Sequence, residues 1–368
     1  MLHRSDNRVV LTLDAGGTKF SFSAMARGEI LAGPLELPAE AKNLERCLKT
    51  IVEGFAEMRQ SAGGKIDAIS FAFPGPSYYE EGIIGDLGNL PAFRGGIPLG
   101  PLLSEKFAVP VFINNDGDLF ALGEALGGFL PQLNHELEIA GSTKRYRNLI
   151  GLTLGTGFGG GIVHNGRLFS GDNSAAGEVW LLRNPKYPHT FAEESLSIRA
   201  LQRVYRAAAG DPRELSAKQI SLIAREAAPG ESGAARAAFA ELGSVLGECI
   251  ANIVTIIDAP VVIGGGLSNS YHLFAPAMMQ ALDNNFTRFD ETSRVARLEM
   301  AVFNVEDATQ REKFLRGQMK EAILPASSTR VRYDAMKRSG IGVSRLGTSR
   351  AAALGAYVFA LEKLGNPA

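Results

Sequence analysis

Short apolar runs that stop at glycine or at acidic residues recur along the first third of the chain. Residues 9–13, 66–73 and 109–113 are rich in β-branched, aromatic and other apolar residues, which predicts buried strands. Residues 44–59 carry Leu, Ile, Val and Phe at helical spacing and predict a helix with one buried face. Strands that alternate with helices indicate an α/β fold.

The same alternation returns in the rest of the chain. Residues 149–154 and 261–263 predict two further strands, and residues 195–257 between them have a helical composition rich in Ala, Leu and Arg. Residues 351–364 predict a closing apolar helix. A weak internal repeat accompanies this pattern, because two strands read Leu-Thr-Leu and both run into a turn of Gly and Thr. The repeat suggests two similar halves.

One predicted strand ends at a group of polar residues. The strand at 109–113 runs into Asn114, Asn115 and Asp116, and leucines at helical spacing follow. A carboxylate at the carboxyl end of a strand lies at the edge of an open α/β sheet, where ligands usually bind. Asp116 is therefore a candidate functional residue. The alternative is that Asp116 or Asp118 serves only as the N-cap of the helix, a position that favours aspartate.

Three predicted strands end in glycine-rich turns, at Gly16-Gly17, at 155–161 and at 264–266. Glycine permits positive φ angles and lets backbone N–H groups approach a ligand closely, which suits the oxygens of a polyphosphate. None of the three has the Walker spacing or the dinucleotide G-x-G-x-x-G pattern with its acidic residue. Each turn alone is better explained as a tight connection, because glycine often occurs in loops. The three together favour a nucleotide.

Composition narrows the classes of partner. Of 368 residues, 45% are hydrophobic and 21% charged, which is typical of a globular protein long enough for two domains. The formal net charge of -1 provides no basic field for nucleic acid. Residues 144–147 form the densest basic cluster, but they lack an aromatic platform and predict a solvated loop. We therefore expect no nucleic-acid partner.

Cysteine usage and the termini predict a cytoplasmic protein. The chain contains two cysteines, Cys47 and Cys249, and the second lies in an apolar helical pattern, so neither a disulfide framework nor a cysteine zinc site is expected. The first apolar run is too short for a signal peptide, and no stretch is expected to be long enough to cross a bilayer. No membrane partner is predicted.

Taken in order, these motifs resemble those of the ROK family of sugar kinases, within the actin, hexokinase and Hsp70 ATPase superfamily. Residues 13–19 resemble the first phosphate loop of the family, residues 155–161 the second, and residues 263–268 the nucleoside-side motif. Shorter motifs follow in the family's order, namely Pro74-Gly75-Pro76, Asn89-Leu90, Asn115-Asp116 and Ala176-Gly177-Glu178. The resemblance covers most of the chain.

The resemblance implies an ATP-dependent sugar kinase with a defined set of site residues. Asp116 would be the general base that takes the proton from a sugar hydroxyl attacking the γ-phosphate of ATP, and Asp14 would hold Mg²⁺ through water. The residues implied to hold the sugar, besides Asp116, are Gly75, Asn89, Asn115, Glu178 and Glu193. The residues implied to hold the nucleotide are Asp14, Gly16, Gly17, Thr18, Lys19, Gly155, Thr156, Gly157, Gly265, Gly266 and Leu267. These roles suit phosphoryl transfer, which depends on positioning and charge neutralisation, and Mg²⁺, which prefers a few carboxylates with phosphate and water.

The sequence departs from the family pattern after Glu178. The family has Gly-His there, and the histidine contacts a structural zinc and the sugar, whereas this chain has Trp180-Leu181 and lacks the cysteine cluster. We therefore expect no zinc site, and we interpret His189 as a surface loop residue, because one histidine without cysteine partners makes no tetrahedral site. Trp180 packs against either the core or the sugar ring. Asp118 replaces the usual asparagine, which alters the charge near Asp116.

The resemblance also implies the architecture. We expect two α/β domains of ribonuclease-H-like topology, as in actin-like ATPases, with a cleft between them. The N-terminal domain is expected to span residues 1–121, completed by residues 350–368, and the C-terminal domain residues 122–349. Insertions are expected near 131–148 and 286–344, where the match is poor. Because family members are often dimers or tetramers, a homo-oligomer is expected.

The substrate is left open by the sequence. The default expectation is glucose, followed by N-acetylglucosamine or N-acetylmannosamine, fructose and allose. The alternative functions are an N-acetylhexosamine kinase and a catalytically inactive sugar-binding or nucleotide-binding member of the family. Retention of Asp14, Asp116 and the three glycine turns argues against lost catalysis. A repressor function is not expected, since the phosphate loop begins by Leu13 and leaves no room for an N-terminal helix-turn-helix.

Overall fold

A computed structural model of the chain describes residues 5–16, 18–75, 77–87, 90–290 and 293–365. The chain folds into two compact units. Unit 1 contains the described residues of Met1–Gly128, Gly161–Gly177 and Leu346–Ala368, and unit 2 contains the described residues of Phe129–Gly160 and Glu178–Arg345. The predicted boundary at residue 121 differs from this division because it would cut a helix that continues to Leu126.

The strands are β1 (Val10–Ala15), β2 (Lys19–Ala26), β3 (Glu29–Pro38), β4 (Ala68–Ala72), β5 (Ser77–Tyr78), β6 (Ile83–Ile84), β7 (Val111–Asn114), β8 (Leu149–Leu154), β9 (Phe158–His164), β10 (Arg167–Leu168), β11 (Val261–Gly264), β12 (Asn285–Thr287), β13 (Arg294–Ala296), β14 (Ala301–Asn304), β15 (Met319–Ile323), β16 (Arg330–Asp334) and β17 (Arg338–Val343). The helices are α1 (Leu44–Ser61), α2 (Leu99–Phe107), α3 (Asp116–Leu126), α4 (Phe129–Ile139), α5 (Ile198–Ala209), α6 (Ala217–Ala224), α7 (Ser232–Ile257), α8 (Tyr271–Leu282), α9 (Ala308–Arg316) and α10 (Thr348–Leu364). Among the described residues, short 3-10 helices span Val179–Leu181, Ala192–Glu194 and Gly266–Ser270.

The first sheet has the strand order β3-β2-β1-β4-β7. Strand β2 is antiparallel to β1 and β3, whereas β1, β4 and β7 are parallel. In this register Asp14 pairs with Ala72, and Ala72 pairs with Asn114. The carboxyl ends of β1 and β7 therefore lie at the same edge of the sheet, which places Asp14 near the start of α3.

Helices cover both faces of the first sheet. On one face, Phe55 of α1 packs against Phe22 and Phe71, with ring centroids 5.2 Å and 5.6 Å apart. On the other face, α10 packs its Leu354 and Tyr357 against the sheet. Burial of such large apolar side chains on both faces removes most of their surface from water, which is the main stabilising term of an α/β unit.

The second sheet has the order β10-β9-β8-β11-β17-β14. Strands β8 and β11 are parallel, with Ile263 paired to Leu152 and Gly264 to Thr153, so the turns that follow these two strands are neighbours. The two Leu-Thr-Leu strands, β1 and β8, occupy the same place in the order of their sheets. The predicted α/β class is confirmed, and the repeat in the sequence corresponds to this repeated strand order.

Helix α7 forms the centre of the core of unit 2. Its glycines at 243 and 247 let α8 approach closely, since a Cβ atom at either position would overlap backbone oxygens of α8. Among the described residues, α7 is the one helix long and apolar enough to cross a membrane. The expectation that no stretch has this length was wrong. The core helices of globular proteins pass the same test, and 56% of the apolar window of α7 is buried inside the protein.

The two segments predicted as insertions contain ordered elements of unit 2. Within 131–148, helix α4 buries Leu133 and Leu137, and Tyr146 stacks on Phe314 at 6.0 Å. Within 286–344, β14 and β17 are strands of the second sheet, whereas β12–β13 and β15–β16 form separate two-stranded hairpins. The second segment is therefore part sheet and part accessory hairpin.

Candidate functional site

Helix α3 begins at the carboxylate that the sequence singled out. Asn115 is its N-cap, and the Asn115 Oδ1 atom accepts a hydrogen bond from the Gly117 N–H at 2.8 Å. The Oδ1 atom of Asp116 accepts from the same N–H at 2.8 Å. The alternative in which Asp116 or Asp118 is the N-cap was wrong, because the N-cap of α3 is Asn115 and its side-chain oxygen accepts the capping hydrogen bond. Asp116 is the first residue of the helix.

The carboxyl of Asp116 is accessible and electrostatically perturbed. The residue is exposed, yet protein atoms surround it at longer range. Desolvation is the first cause that raises the pKa of Asp116, and the nearby charge of Asp14 raises it further, while the Gly117 N–H opposes both. Asp118 is buried, with 3% of its surface exposed. The arrangement provides a reachable carboxylate that binds a proton more readily than an ordinary aspartate.

The first glycine-rich turn joins β1 to β2. The Gly16 N–H donates to the Lys19 carbonyl oxygen at 3.1 Å, and a Cβ atom at Gly16 would lie 2.8 Å from that oxygen. Thr18 is exposed, and Gly17 lies outside the described residues. The Lys19 ammonium group pairs with Glu36 at 2.6 Å, with about half of each side chain exposed, a kind of pair that contributes little stability.

Two of the predicted sugar ligands lie in the segment after β4. Gly75 is exposed, and a Cβ atom there would lie 3.0 Å from the hydroxyl of Tyr79. That hydroxyl donates to the Phe73 carbonyl oxygen at 3.1 Å. Tyr79 therefore shapes the backbone around Gly75, a role that no motif indicated. Asn89 lies outside the described residues.

The second glycine-rich loop connects β8 to β9 in unit 2. The Gly155 N–H donates to the Gly157 carbonyl oxygen at 2.9 Å, which closes a tight turn with Thr156 exposed at its tip. The first residue of α5, Ile198, donates its N–H to the Gly155 carbonyl oxygen at 2.8 Å. The loop is thus attached to the start of a helix.

Glu193, predicted as a sugar ligand, contacts this loop. Its Oε2 atom accepts from the Phe158 N–H at 3.0 Å, and its Oε1 atom accepts from the Arg199 guanidinium at 2.9 Å. Sequence reasoning missed Arg199. The available signal was a basic residue near the start of a helix that follows an acidic pair, but helical arginines are too common for that pattern to be specific.

Glu178 is exposed and receives a hydrogen bond from the residue that departs from the family pattern. The Trp180 Nε1–H group donates to the Oε2 atom of Glu178. The Trp180 ring packs edge-on against Phe191, with centroids 5.5 Å apart and an interplanar angle of 89°. Trp180 is partly buried against the core of unit 2. The Trp180 ring therefore packs against the hydrophobic core of unit 2, while its N–H group orients Glu178, a predicted sugar ligand.

The turn after β11 is the predicted nucleoside-side motif. Gly265 has a φ of 83°, and a Cβ atom there would overlap the backbone of Leu154. The Ser268 hydroxyl donates to the Gly265 carbonyl oxygen at 2.7 Å. Leu267 is buried, and a Cβ atom at Gly266 would meet no atom within 4 Å. Gly265 is thus required for close approach to β8, whereas Gly266 borders open space.

Carboxylates are the available metal ligands at the edge of the first sheet. Among the described residues, no group of three or more His, Cys, Asp or Glu side chains is arranged to hold a metal. Asp14 is exposed and close enough to perturb Asp116. A pair of carboxylates open to water fits Mg²⁺, which usually keeps several waters and shares substrate phosphates. His189 is exposed.

Comparison with known proteins identifies the family. A family model described as ROK family matches residues 10–310. The N-acetyl-D-glucosamine kinase of Escherichia coli strain K12 is 30% identical over 306 residues, which cover 78% of this chain and 92% of that protein. The glucokinase structure from Parabacteroides distasonis has 48% identity and a TM-score of 0.89, covering 98% of this chain and 99% of that one.

A more distant structure shares the fold. The ROK family glucokinase from Streptomyces griseus, solved with glucose and AMPPNP, is 19% identical with a TM-score of 0.61, covering 97% of this chain and 100% of that chain. These neighbours have the actin-like ATPase fold, so the fold expected from the sequence is confirmed. The chain belongs to the ROK family.

Proposed function

We propose that this protein transfers the γ-phosphoryl group of ATP to a hydroxyl group of a hexose or hexose derivative, with Asp116 as the general base. The protein is a sugar kinase of the ROK family. The observation that supports the proposed role of Asp116 is its position. It is exposed, has a raised pKa and lies at the sheet edge that also carries Asp14.

The proposed chemistry is a direct phosphoryl transfer. The sugar oxygen forms a bond to the γ-phosphorus, the bond from that phosphorus to the β–γ bridging oxygen breaks, and ADP leaves. Asp116 receives the proton of the attacking hydroxyl. Its raised pKa makes the ionised carboxylate a better proton acceptor than an ordinary aspartate. Asn115, Gly75 and Glu178 position the sugar, as does Asn89, which lies outside the described residues. Glu193 stays a prediction in this role.

The proposed nucleotide site uses backbone N–H groups. The turn at Gly16, Gly17, Thr18 and Lys19 and the loop at Gly155, Thr156 and Gly157 bind phosphate oxygens, while Gly265, Gly266 and Leu267 border the nucleoside. Mg²⁺, when bound, neutralises phosphate charge. Asp14 would hold it through water, in keeping with the preference of Mg²⁺ for few carboxylates. The exposure of Thr18, Thr156 and Asp14 supports this assignment.

Two sugar classes are supported by different relatives. The relative with 48% identity is named a glucokinase, and the relative with 30% identity is named an N-acetyl-D-glucosamine kinase. The glucokinase has the higher identity, over nearly the whole chain, so glucose is the proposed substrate and an N-acetylhexosamine is the second candidate. We also propose a homo-oligomer and a cytoplasmic location. The location is supported by two buried free cysteines, Cys47 and Cys249.

The test is ADP release from Mg-ATP with glucose, N-acetylglucosamine, N-acetylmannosamine, fructose and allose offered separately. We expect sugar-stimulated release that is fastest with glucose. The D116N variant should lose about 10²-fold to 10⁴-fold in turnover while sugar binding is largely retained. Turnover of D116N near that of the parent would contradict the assigned base. Absence of stimulated release with any sugar in the parent would favour an inactive binding protein.

A further inference from the structure

A short loop of unit 2 joins two of the predicted sugar ligands. Glu178 directly precedes one 3-10 helix, and Glu193 lies in the following one. We call residues 182–191, which lie between these two helices, the connecting loop. Its ends are paired, because the Ala192 N–H donates to the Leu182 carbonyl oxygen at 2.7 Å. The orientation of both carboxylates therefore depends on how this loop is closed.

The side chain of Asn184 lies inside the connecting loop, and the residue is 0% exposed. Its Oδ1 atom accepts from the backbone N–H groups of Lys186 and Tyr187 at 3.0 Å and 3.1 Å. Its Nδ2 atom donates to the Ser195 Oγ atom at 2.8 Å and to the Phe191 carbonyl oxygen at 3.4 Å. An asparagine side chain has two donor hydrogens and two acceptor lone pairs. All four are used here.

The four hydrogen bonds have two different effects. The two bonds to Oδ1 come from residues shortly after Asn184, an arrangement in which asparagine stabilises a local turn. The bond to Ser195 spans eleven residues and reaches a buried serine directly after the 3-10 helix of Glu193. A buried amide that lost these partners would be costly. Asn184 therefore attaches the turn of the connecting loop to the helix that carries Glu193.

The same network extends to Glu178. Phe191, whose carbonyl oxygen accepts from Asn184, packs its ring edge-on against Trp180 with centroids 5.5 Å apart. The Trp180 Nε1–H group in turn donates to the Glu178 Oε2 atom. Asn184 is thus connected to Glu178 through two aromatic residues and to Glu193 through one serine.

The connecting loop lies in the segment where the family pattern has a structural zinc. Structural zinc sites take four ligands, which are typically cysteine and histidine side chains. The described residues from 178 to 195 include one such side chain, His189, which is exposed. Both cysteines of the chain are buried elsewhere, at positions 47 and 249. This donor set does not fit zinc, so closure of the loop depends on hydrogen bonds.

We propose that Asn184 is a positioning residue for the sugar site, and that its buried amide closes the connecting loop in place of a metal ion. By closing the loop, Asn184 holds the carboxylates of Glu178 and Glu193 in the orientation that receives sugar hydroxyl groups. The inference rests on the proposed function, because it takes these two carboxylates to be sugar ligands. Loss of the amide weakens sugar binding and has less effect on nucleotide binding.

The first experiment measures sugar and nucleotide binding separately. The dissociation constants of glucose and AMPPNP are measured by calorimetry for the parent, N184A and S195A, each shown to be folded by circular dichroism. For N184A we expect the glucose constant and KM for glucose to rise about tenfold, with the AMPPNP constant within about threefold of the parent. S195A keeps the turn but removes one acceptor of the Asn184 amide, so its glucose constant should rise about threefold. If another sugar of the panel is phosphorylated faster, that sugar replaces glucose.

A double-mutant cycle tests whether Asn184 and Ser195 act together. If the amide works through Ser195, the double variant N184A/S195A should bind glucose no more weakly than N184A alone. Additive losses would show that the two residues act independently and would overturn the inference. Should N184A fail to fold, S195A still decides, because a glucose constant equal to that of the parent would overturn the inference.

Tryptophan fluorescence reports on the loop directly, because Trp180 is the one tryptophan of the chain. If the loop opens when the amide is lost, the Trp180 ring separates from Phe191 and becomes more accessible to water. N184A should then emit at a longer wavelength than the parent and be quenched more strongly by acrylamide. Emission and quenching equal to those of the parent would show that the loop stays closed without the amide, and would overturn the inference.

Two variants serve as controls. H189A changes an exposed side chain of the same loop and should leave the glucose constant and the fluorescence unchanged. I250V removes one carbon from a buried residue of α7, outside the loop, so it should lower stability and keep the glucose constant within about twofold of the parent. A rise in the glucose constant of I250V as large as in N184A would assign the effect to general destabilisation and overturn the proposed role.

Metal analysis provides an independent test. We expect the purified parent to contain no stoichiometric zinc, and treatment with EDTA to leave the glucose constant and the Tm unchanged. A stoichiometric zinc ion whose removal weakens glucose binding would show that a metal closes the loop, and would overturn the inference.

Failure of the inference is distinguishable from failure of the proposed function. Weaker AMPPNP binding by N184A with unchanged glucose binding would overturn the inference alone. A parent protein that binds glucose but phosphorylates no sugar would contradict the proposed function, while weaker glucose binding by N184A would still support the positioning role. A parent protein that binds none of the sugars would overturn both.

Discussion

Gly161 sets the position of the helix that begins at Asp116. It lies in β9, and a Cβ atom there would lie 2.5 Å from the Gly117 carbonyl oxygen, 2.7 Å from the Asp118 Cα atom and 2.9 Å from the Ala121 Cβ atom. Two of these three atoms belong to the backbone of α3, so no rotation of a flexible side chain relieves the overlap. The G161A substitution must move either β9 or the start of α3.

The size of the movement gives the expected effect. Carbon atoms in ordinary contact are about 3.5–4.0 Å apart, so the separation between β9 and the start of α3 must increase by roughly 1 Å, and we expect part of that movement to fall on α3. A displacement of about 1 Å at a reacting group costs about 10²-fold in rate. Overpacking of a core typically costs about 1–3 kcal/mol in stability. We therefore expect G161A to fold with a lower Tm and to lose about 10²-fold in kcat, with KM for ATP nearly unchanged.

The assay is steady-state ADP release together with urea unfolding of the same preparations. G233A is the matched control, because a Cβ atom at Gly233 would meet no atom within 4 Å and Gly233 does not have a positive φ angle. It should retain the parent kcat and stability. If G161A loses stability by the expected amount but keeps the parent kcat, the position of the start of α3 does not control the base.

Three further substitutions test other contacts. The Tm of D116N should be higher than that of the parent at pH 7 and equal to it near pH 3. Because the pKa of Asp116 is raised, its ionised form destabilises the folded protein above the folded pKa, and this destabilisation vanishes below about pH 3.9, the ordinary pKa of aspartate. A difference in Tm that does not depend on pH, measured by calorimetry, would contradict this reasoning. W180F keeps an aromatic side chain, although a smaller one, but loses the N–H group that binds Glu178, so KM for glucose should rise about threefold to tenfold with KM for ATP unchanged. An unchanged glucose KM would show that this hydrogen bond does not orient a sugar ligand. G355A should lower the free energy of unfolding in urea by about 1–3 kcal/mol or more, because the methyl group would overlap the Leu119 carbonyl oxygen of α3. A free energy of unfolding equal to that of the parent would show that α3 and α10 can move apart without loss of stability.

Local patterns predicted the features that a few consecutive residues determine. The strand that ends before Asp116 was predicted because a short apolar run is followed at once by polar residues and leucines at helical spacing. The glycine turns after β1, β8 and β11 were predicted for the same reason. In each case the chemistry of the turn lies in adjacent residues, so no knowledge of the tertiary structure is needed.

Features that depend on distant partners were not predicted. The hydrogen bond between Phe158 and Glu193 joins residues far apart in the sequence, and neither residue type indicates the other. Strand β17 begins at Arg338, which is 1% exposed, and a charged residue there made the segment resemble an irregular surface region. The arginine is buried because Asp334 pairs with it and the Phe314 carbonyl oxygen accepts from it at 2.6 Å. Asp334 is only four residues away in the sequence, but the fold alone brings Phe314 to Arg338.

The raised pKa of Asp116 depends in part on Asp14, the other carboxylate at this edge of the first sheet. A hydrogen bond from a backbone N–H at a helix start lowers the pKa of an aspartate, yet desolvation and the charge of Asp14 outweigh it. The D14N substitution should therefore lower the pKa of Asp116. In a pH profile of kcat/KM, which reports the free enzyme, the acidic limb should move to lower pH even as the plateau falls through loss of the proposed Mg²⁺ ligand. A lower plateau with an unmoved limb would confine Asp14 to metal binding and leave desolvation as the cause of the raised pKa.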